Sequence, residues 1–489
     1  MMRARRMLLL WLAERVRPWS SAKNRIAPPA RRSLLLSLML ALLITASAFA
    51  QQQRDLVDGY VSIGTDYLPN IGDTLELRTR LFVERQVDAG PNLRFSFSGW
   101  AEGLIADRAD SFRPTLSGGS RNVRDAVARP HEMYVDLRAG SIDLRAGLAN
   151  VVWGRLGEVQ PSDVINPLDI SRYLFEGRNE ARLPAPLVRA RWVSSEALTI
   201  EGVWVPLFRR ARFDYLDEDT SPFNLLTDRD LCRDDADAGA PCPPIPLEFD
   251  IERREPARTL GNSQGGARLS ATTGRVDWSV SAYRGLESVG VVSVDSSLIL
   301  PSPSPTGSST VRLIETYPRF TMIAGDVEAV RGAWAIRGEA AAFVDRTFQP
   351  AGQSNGVGAG VYKGHAIEAG GSVERKAGDY RINLAVLMER QVADAVYAAD
   401  ADADAFTQTD VSFVMGAQRS FARDTRRVLL FGLWNVADAS GFLRSIGSWS
   451  LRDNLWLEGS AGWFLGEGTD TLSRFATRDF AYVKLKAYF

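Results

Sequence analysis

The sequence predicts an all-β chain, a transmembrane antiparallel β-barrel of about 18 strands, with about 16 as the next-best count. Three observations lead there. Tracts of roughly 9–12 residues, the length that crosses a bilayer at a barrel's tilt, alternate apolar and polar side chains. Tight turns join these tracts in pairs, and much longer segments separate the pairs. An apolar leader precedes all of them.

The leader is Ser33 to Ser47, read on to Phe49, behind Arg31-Arg32 and followed by the small-residue site Ala48-Phe49-Ala50. This is the pattern of a secretory signal peptide, so residues 1–50 are expected to be removed and residues 51–489 to form the mature barrel. A retained membrane helix is the alternative, since the run approaches the roughly 17–25 residues needed to span. The small-residue ending and the polar Gln51-Gln52-Gln53 favour cleavage. After Gln51 no run of roughly 18 apolar residues recurs, so no further transmembrane helix is expected, which argues against a helical membrane protein.

Composition fits a barrel. The chain is 45% hydrophobic and carries 41 Gly, 12 Trp, 12 Tyr and 22 Phe. Glycine permits close packing and bends in curved sheets, and Trp and Tyr suit the two water–lipid boundaries. A net charge of −1, from 58 basic and 59 acidic residues, gives no reason to expect a nucleic-acid partner. No Pro/Ser-rich linker divides the mature chain, so one large closed sheet is simpler than two or three soluble domains.

The hairpins can be read in order. A weak strand lies at Gly59 to Asp66. Met133, Val135 and Leu137 alternate with Tyr134, Asp136 and Arg138, turn at Ala139-Gly140-Ser141, and return through Ile142, Leu144 and Ala146 against Asp143 and Arg145. Val188, Ala190 and Trp192 alternate with Arg189 and Arg191 before Ser194-Ser195-Glu196. Leu269 and Ala271 lead to Thr272-Thr273-Gly274 and on to Val276, Trp278 and Val280. Ile367, Ala369, Gly371 and Val373 oppose Glu368, Ser372 and Glu374. Beyond Lys376-Ala377-Gly378, Ile382, Leu384, Val386 and Met388 oppose Arg381, Asn383 and Glu389. Further turns are predicted near Gly325-Asp326, Arg423-Asp424 and Asp453-Asn454.

In the last strand Ala481, Val483, Leu485, Ala487 and Phe489 share one face, and Tyr482, Lys484, Lys486 and Tyr488 the other. Apolar outside and polar inside is the wall pattern of a barrel in lipid. The tract resembles the C-terminal signature by which bacterial outer-membrane barrels are recognised for assembly, with Phe489 as its terminal aromatic. It departs at Ala487, where that pattern often has an aromatic. The resemblance implies the barrel-assembly machinery as a partner, together with outer-membrane lipid and lipopolysaccharide.

Long connections are predicted over about 105–130, 152–185, 207–264, 286–313, 346–363, 391–410 and 467–477, the external loops of such a barrel. The most distinctive runs from Val152-Trp153-Gly154-Arg155 through Asp163, Asn166-Pro167 and Asp169 to Arg182. This W-G, then D-x-x-N-P-x-D, tract resembles one in a family of porin-like proteobacterial outer-membrane proteins of largely uncharacterised function. The resemblance implies a barrel architecture and a channel role. Asn166-Pro167 favours a turn, and Asp169 can cap a short helix over Ile170 to Phe175. Such a loop can fold into the barrel mouth. Arg155, Arg172, Arg178 and Arg182, with inward Arg189 and Arg191 and then Arg209, Arg210 and Arg212, would form a basic constriction facing Asp163, Asp169, Glu176 and Glu180. A salt-bridge network that only holds the loop is the alternative, and the two are compatible. The predicted lumen lining is Asp136, Arg138, Asp143, Arg145, Arg189, Arg191, Arg337, Glu339, Glu368, Glu374, Arg381 and Glu389.

Cys232 and Cys242 are the only cysteines, and an exported chain in an oxidising compartment is expected to join them in a disulfide. Closing so short a loop would stabilise it by roughly 2–3 kcal/mol. Asp400, Asp402 and Asp404 lack the Gly and Glu of a calcium loop and read as a solvated acidic segment. No metal or cofactor is expected. His131 and His365 are the only histidines, and no G-x-S-x-G motif accompanies them, so an outer-membrane hydrolase is the least favoured function. A passive porin-like channel for small hydrophilic solutes is the leading one. A closed structural or adhesive barrel and a transporter of hydrophobic substrates are the alternatives. Deleting Phe489 is expected to impair membrane assembly, read as loss of the heat-modifiable gel mobility of a folded barrel.

Overall fold

The computed structural model describes residues 57–69, 74–109, 120–157, 159–170, 173, 176–212, 247–294, 309–348, 361–397, 406–467, 470–476 and 478–489. The leader, Arg172, Cys232, Cys242, Asp400, Asp402 and Asp404 lie outside the described residues.

The weak strand at Gly59 is real and becomes β1 (Asp58–Leu68). It is followed by β2 (Thr74–Asp88), β3 (Leu93–Ala109), β4 (Ser120–Ala139), β5 (Ile142–Ala149), β6 (Ala185–Ser195) and β7 (Leu198–Val205). Next come β8 (Leu247–Arg254), β9 (Gln264–Thr273), β10 (Val276–Leu286), β11 (Val291–Val294) and β12 (Ser309–Thr316). The wall continues through β13 (Arg319–Arg331), β14 (Trp334–Phe348), β15 (Val361–Ala377), β16 (Tyr380–Tyr397) and β17 (Phe406–Phe421). It ends with β18 (Arg426–Asn435), β19 (Ser440–Arg452), β20 (Leu455–Leu465) and β21 (Phe480–Tyr488).

Among the described residues, eighteen of these strands form one antiparallel sheet, and β8, β11 and β12 form a separate three-stranded one. The large sheet is closed. β21 pairs with β20 on one side and with β1 on the other, from Tyr60↔Tyr488 to Tyr67↔Ala481. Phe489 completes the seam, its N–H donating to the Gly59 carbonyl at 3.1 Å while the Gly59 N–H donates back to Phe489. Gly59 has no room for a Cβ, which would meet the Phe489 ring at 2.9 Å. Closure leaves no strand edge, so the wall's backbone groups pair within the sheet, as lipid demands.

Most tight turns lie at one end of the barrel with both sheet termini, and the longer connections lie at the other together with the four-residue turn 436–439 between β18 and β19. Gly140, Gly274, Gly332 and Gly378 open four of these turns with φ between 58° and 63°, where nothing crowds a Cβ. Glycine is therefore there for the left-handed backbone, not for space. The hairpin expected at Gly325-Asp326 is instead Gly332-Ala333, and Asp326 lies inside β13. A Gly-Asp pair reads as a turn, but only Gly332 has the positive φ. The expected loops 105–130 and 391–410 are largely strand, since β3, β4, β16 and β17 extend into them. β4 reaches 20 residues, more than a bilayer crossing needs.

Alternation sets the two faces. Leu75, Leu81, Ile105, Ile336, Leu384, Phe413, Leu430 and Val483 are exposed on the outside. Trp192, Trp334, Tyr380 and Trp449 ring the turn end of this aliphatic band, and Tyr67, Trp204, Trp434 and Trp463 ring the loop end. These are the two aromatic girdles of a barrel in a bilayer. A hydrophobic packing core lies inside the barrel, where Val151, Trp153 and Ile165 meet Leu187, Val205, Tyr283, Met322 and Phe343. Val483 is 54% exposed near the middle of β21, so Val483→Arg is expected to destabilise the barrel. A cost of about 2–4 kcal/mol in urea unfolding from lipid bilayers would be the signature of a lipid-facing site.

Candidate functional site: a segment bridging the barrel

Between β5 and β6 the chain turns inward over residues 150–184. Its first anchor is Asn166. The side-chain oxygen accepts from the Val151 N–H at 2.7 Å, and Nδ2 donates to the carbonyls of Ala149 and Leu183, each at 3.1 Å. One amide thus ties the two ends of the segment together. Pro167 follows it, and the Pro167 carbonyl accepts from Leu183 at 2.8 Å. Asp163 accepts from Arg178 at 3.0 Å and from Arg182 at 2.5 Å. The Tyr173 N–H donates to the Asp169 carbonyl at 3.2 Å and the Gly177 N–H to the Tyr173 carbonyl at 3.0 Å. Asp169, 1% exposed, also meets Arg212 at 3.8 Å, and its backbone bridges to the segment after β7.

The second anchor is Glu339 on β14, 4% exposed. Its carboxylate accepts from the N–H groups of Arg155 at 2.9 Å, Leu156 at 3.2 Å and Ser162 at 2.8 Å, and from the Ser162 hydroxyl at 2.7 Å. Four donors on a buried carboxylate compensate its desolvation. Gly154 makes the approach possible, since its φ is 95° and a Cβ would lie 2.5 Å from a Glu339 oxygen. Beside it Trp153 is buried edge-on against Tyr283 and donates to Glu201 on β7 at 2.7 Å.

Arg155 continues the attachment, donating to Asp326 at 2.6 Å and Glu328 at 3.0 Å on β13. Burial works against its charge, but these two bonds outweigh it and hold the guanidinium above its ordinary pKa. Arg209, after β7, shifts the other way. Burial lowers it, and the nearby Arg129 charge adds to that.

The third anchor is on the far wall. Glu176 meets Arg80 of β2 at 2.6 Å, and Arg80 also pairs with Glu102 of β3. Following the ladder from β2 through β3, β4, β5, β6, β7, β9, β10 and β13 to β14 takes nine steps. In a ring of eighteen strands those positions are diametrically opposed. A segment held by both Glu339 and Arg80 therefore crosses the barrel interior.

The predicted residues fall into three groups. Asp163, Asp169, Arg178 and Arg182 brace the segment from within, which is the network reading of the expected constriction. Arg155 and Glu339 join it to the wall. Asp136, Arg138, Arg145, Arg189, Arg191, Arg337, Glu368 and Arg381 lie on the face the segment packs against. There Arg145 pairs with Asp136 at 2.7 Å, Arg138 with Asp143 at 3.0 Å, and Arg337 with Glu328 at 2.8 Å and Glu374 at 3.2 Å. Arg189 and Arg191 sit 3.9 Å from Glu201 and Asp143. Arg346 pairs with Glu287 at 3.0 Å and with Glu368. Sequence reasoning missed Arg80, Glu201, Asp326 and Glu328 as partners, because only strand register brings them to the segment. His131 packs edge-on to Phe82 at 6.2 Å, and His365 is exposed on β15.

An even-stranded closed barrel with an aliphatic exterior, two aromatic girdles and an inward-folded segment defines an outer-membrane β-barrel of the kind found in Gram-negative bacteria. No family model and no curated protein matches the chain. Among solved structures it is similar to OccK7 (OpdD) of Pseudomonas aeruginosa, at 8% identity and TM-score 0.45 over 89% of this chain and 98% of that one. OccAB3 of Acinetobacter baumannii matches at 8% identity and TM-score 0.44 over 88% and 99%. OprB of Pseudomonas putida matches at 6% identity and TM-score 0.38 over 90% and 95%. The fold assignment rests on this chain's own strand pairing.

Glu339→Gln replaces an acceptor of four hydrogen bonds by a group with one carbonyl and a clashing NH2. It is expected to loosen the segment by about 3 kcal/mol. Limited proteolysis of folded protein should then cut within residues 155–162, with β-sheet circular dichroism unchanged.

Proposed function

We propose that the protein is a passive porin-like channel of the outer membrane, carrying small hydrophilic solutes through a lumen that residues 150–184 narrow. The bridge between diametrically opposed strands carries this reading. A purely structural barrel needs no such crossing, whereas a pore needs its cross-section restricted to select by size. Passage needs no covalent chemistry. The inner face interleaves Arg155, Arg268 and Arg337 with Asp326, Glu328 and Glu374, and Arg268 reaches Asp326 at 2.8 Å. Paired charges of both signs set a transverse field that favours hydrated polar solutes without a strong preference for either ion sign. Arg189 and Arg191 then act as a basic rim toward the turn end, and lipopolysaccharide surrounds the loop end.

Planar-bilayer recording tests this. The purified protein is expected to give steady, voltage-independent conductance, with a larger and noisier open level in Glu339→Gln. Replacing both Arg189 and Arg191 by Ala should shift reversal potentials toward cations. Silence in all three proteins would overturn the channel and favour the structural or adhesive barrel.

A further inference from the structure

One stretch of the inner wall beside the bridging segment is largely apolar and open. Register places three rows side by side across β16, β17 and β18: Arg381–Gln418–Leu429, Asn383–Gly416–Phe431 and Ala385–Val414–Leu433. Leu387 follows above Ala385 on the same face, opposite Gly370. A Cβ at Gly370 would meet both Leu387 and Leu156 within 3 Å, so its absence lets the bridging segment lean toward this wall. Leu156, Gly157 and Val159 face the rows across a cavity of about 170 Å³. Inner faces of water-filled barrels are polar, and apolar side chains there leave surface in contact with water that burial against a ligand would remove. Leu387, Val414 and Leu429 are only partly buried, and Phe431 backs them by packing on the buried Phe442 cluster while keeping part of its own surface open.

We propose that this slot is a solute-binding site for amphipathic molecules with a single-ring apolar body and a carboxylate head. The inference rests on the channel reading and names its solute class. The size fits, since apolar cavities of roughly 150 Å³ accommodate one benzene ring. The slot is polar at one end only, where Arg381, Asn383 and Gln418 stand together with the Glu374 carboxylate. Arg381 meets Glu374 through Nε at 3.4 Å and its side chain is still 54% exposed. A guanidinium has five donors, and a carboxylate can accept two at once. The ring would lie between Leu156 or Val159 and the Val414–Phe431 wall, with the head on Arg381. The solute meets this site where the segment narrows the passage, so binding there also selects what passes.

Benzoate, acetate, benzyl alcohol and benzylammonium serve as probes, each titrated in two assays. Tryptophan-fluorescence titration of the folded protein in detergent reads binding without an open pore. Single-channel recording reads transient block. Benzoate is expected to bind and to block, acetate to do neither at the same concentration, and benzyl alcohol to bind about tenfold more weakly. Leu429→Asn and Arg381→Gln should each weaken benzoate about tenfold, and for Leu429→Asn open-channel conductance in potassium chloride stays within about twofold. Benzoate binding with no conductance keeps the site and overturns the channel. Conductance with no benzoate effect overturns the site. Tighter binding of benzylammonium than of benzoate overturns the assignment of Arg381 to the head.

Discussion

Lipid offers no hydrogen bonds, and the rest of this architecture follows from that. A sheet that faces hydrocarbon must pair its backbone within itself, and only closure removes the last two edges. Here the seam is β1 against β21, completed by the reciprocal bonds of Gly59 and Phe489. Closure also creates an inside. Once the wall is a ring of eighteen strands, side chains alternate between lipid and interior, and every loop at the open end can fold over or into it.

One segment takes the inward path, and its attachment is built from backbone and charge together. Glu339 could not stand buried on β14 without donors, and the Arg155–Ser162 stretch could not leave its N–H groups unpaired inside the barrel. Each solves the other's problem, and Gly154 removes the Cβ that would keep them apart. Asn166 and Asp163 perform the matching task at the segment's base. The D-x-x-N-P-x-D tract is therefore a clamp, and the W-G before it is the approach to the wall. With Glu176 on Arg80, the clamp becomes a beam across the lumen.

The interior this beam divides is uneven. On the β13–β15 side it meets interlocked ion pairs, where Arg155, Arg268 and Arg337 share Asp326, Glu328 and Glu374. On the β16–β18 side it meets leucine, valine and phenylalanine. Ion pairs of this kind gain little net stability in water-accessible surroundings, so their clear effect is to shape the field along the passage. The apolar rows shape it in the opposite sense, by excluding water from one flank.

Period-two alternation, glycine-marked turns and the rhythm of short and long connections are local properties, and they were enough to read an eighteen-stranded barrel and which face of β21 meets lipid. Local signals misled where a motif was ambiguous, as at Gly325-Asp326, which lies within a strand because neighbouring register outweighs a turn-like dipeptide. They also understated strands such as β4 and β16, whose ends extend past the bilayer and lose strict alternation there. The residue types of the constriction were legible, since Asp163, Asp169, Arg178 and Arg182 crowd one tract. Their partners were not. Glu339 lies 177 residues from Ser162 and Arg80 lies 96 before Glu176, and nothing local links such pairs. Thus the sequence by itself determined the wall, because alternation and turn chemistry act between near neighbours. Only the tertiary structure decided that residues 150–184 cross the barrel and which charges hold them, because closure alone brings opposite strands within reach of one loop.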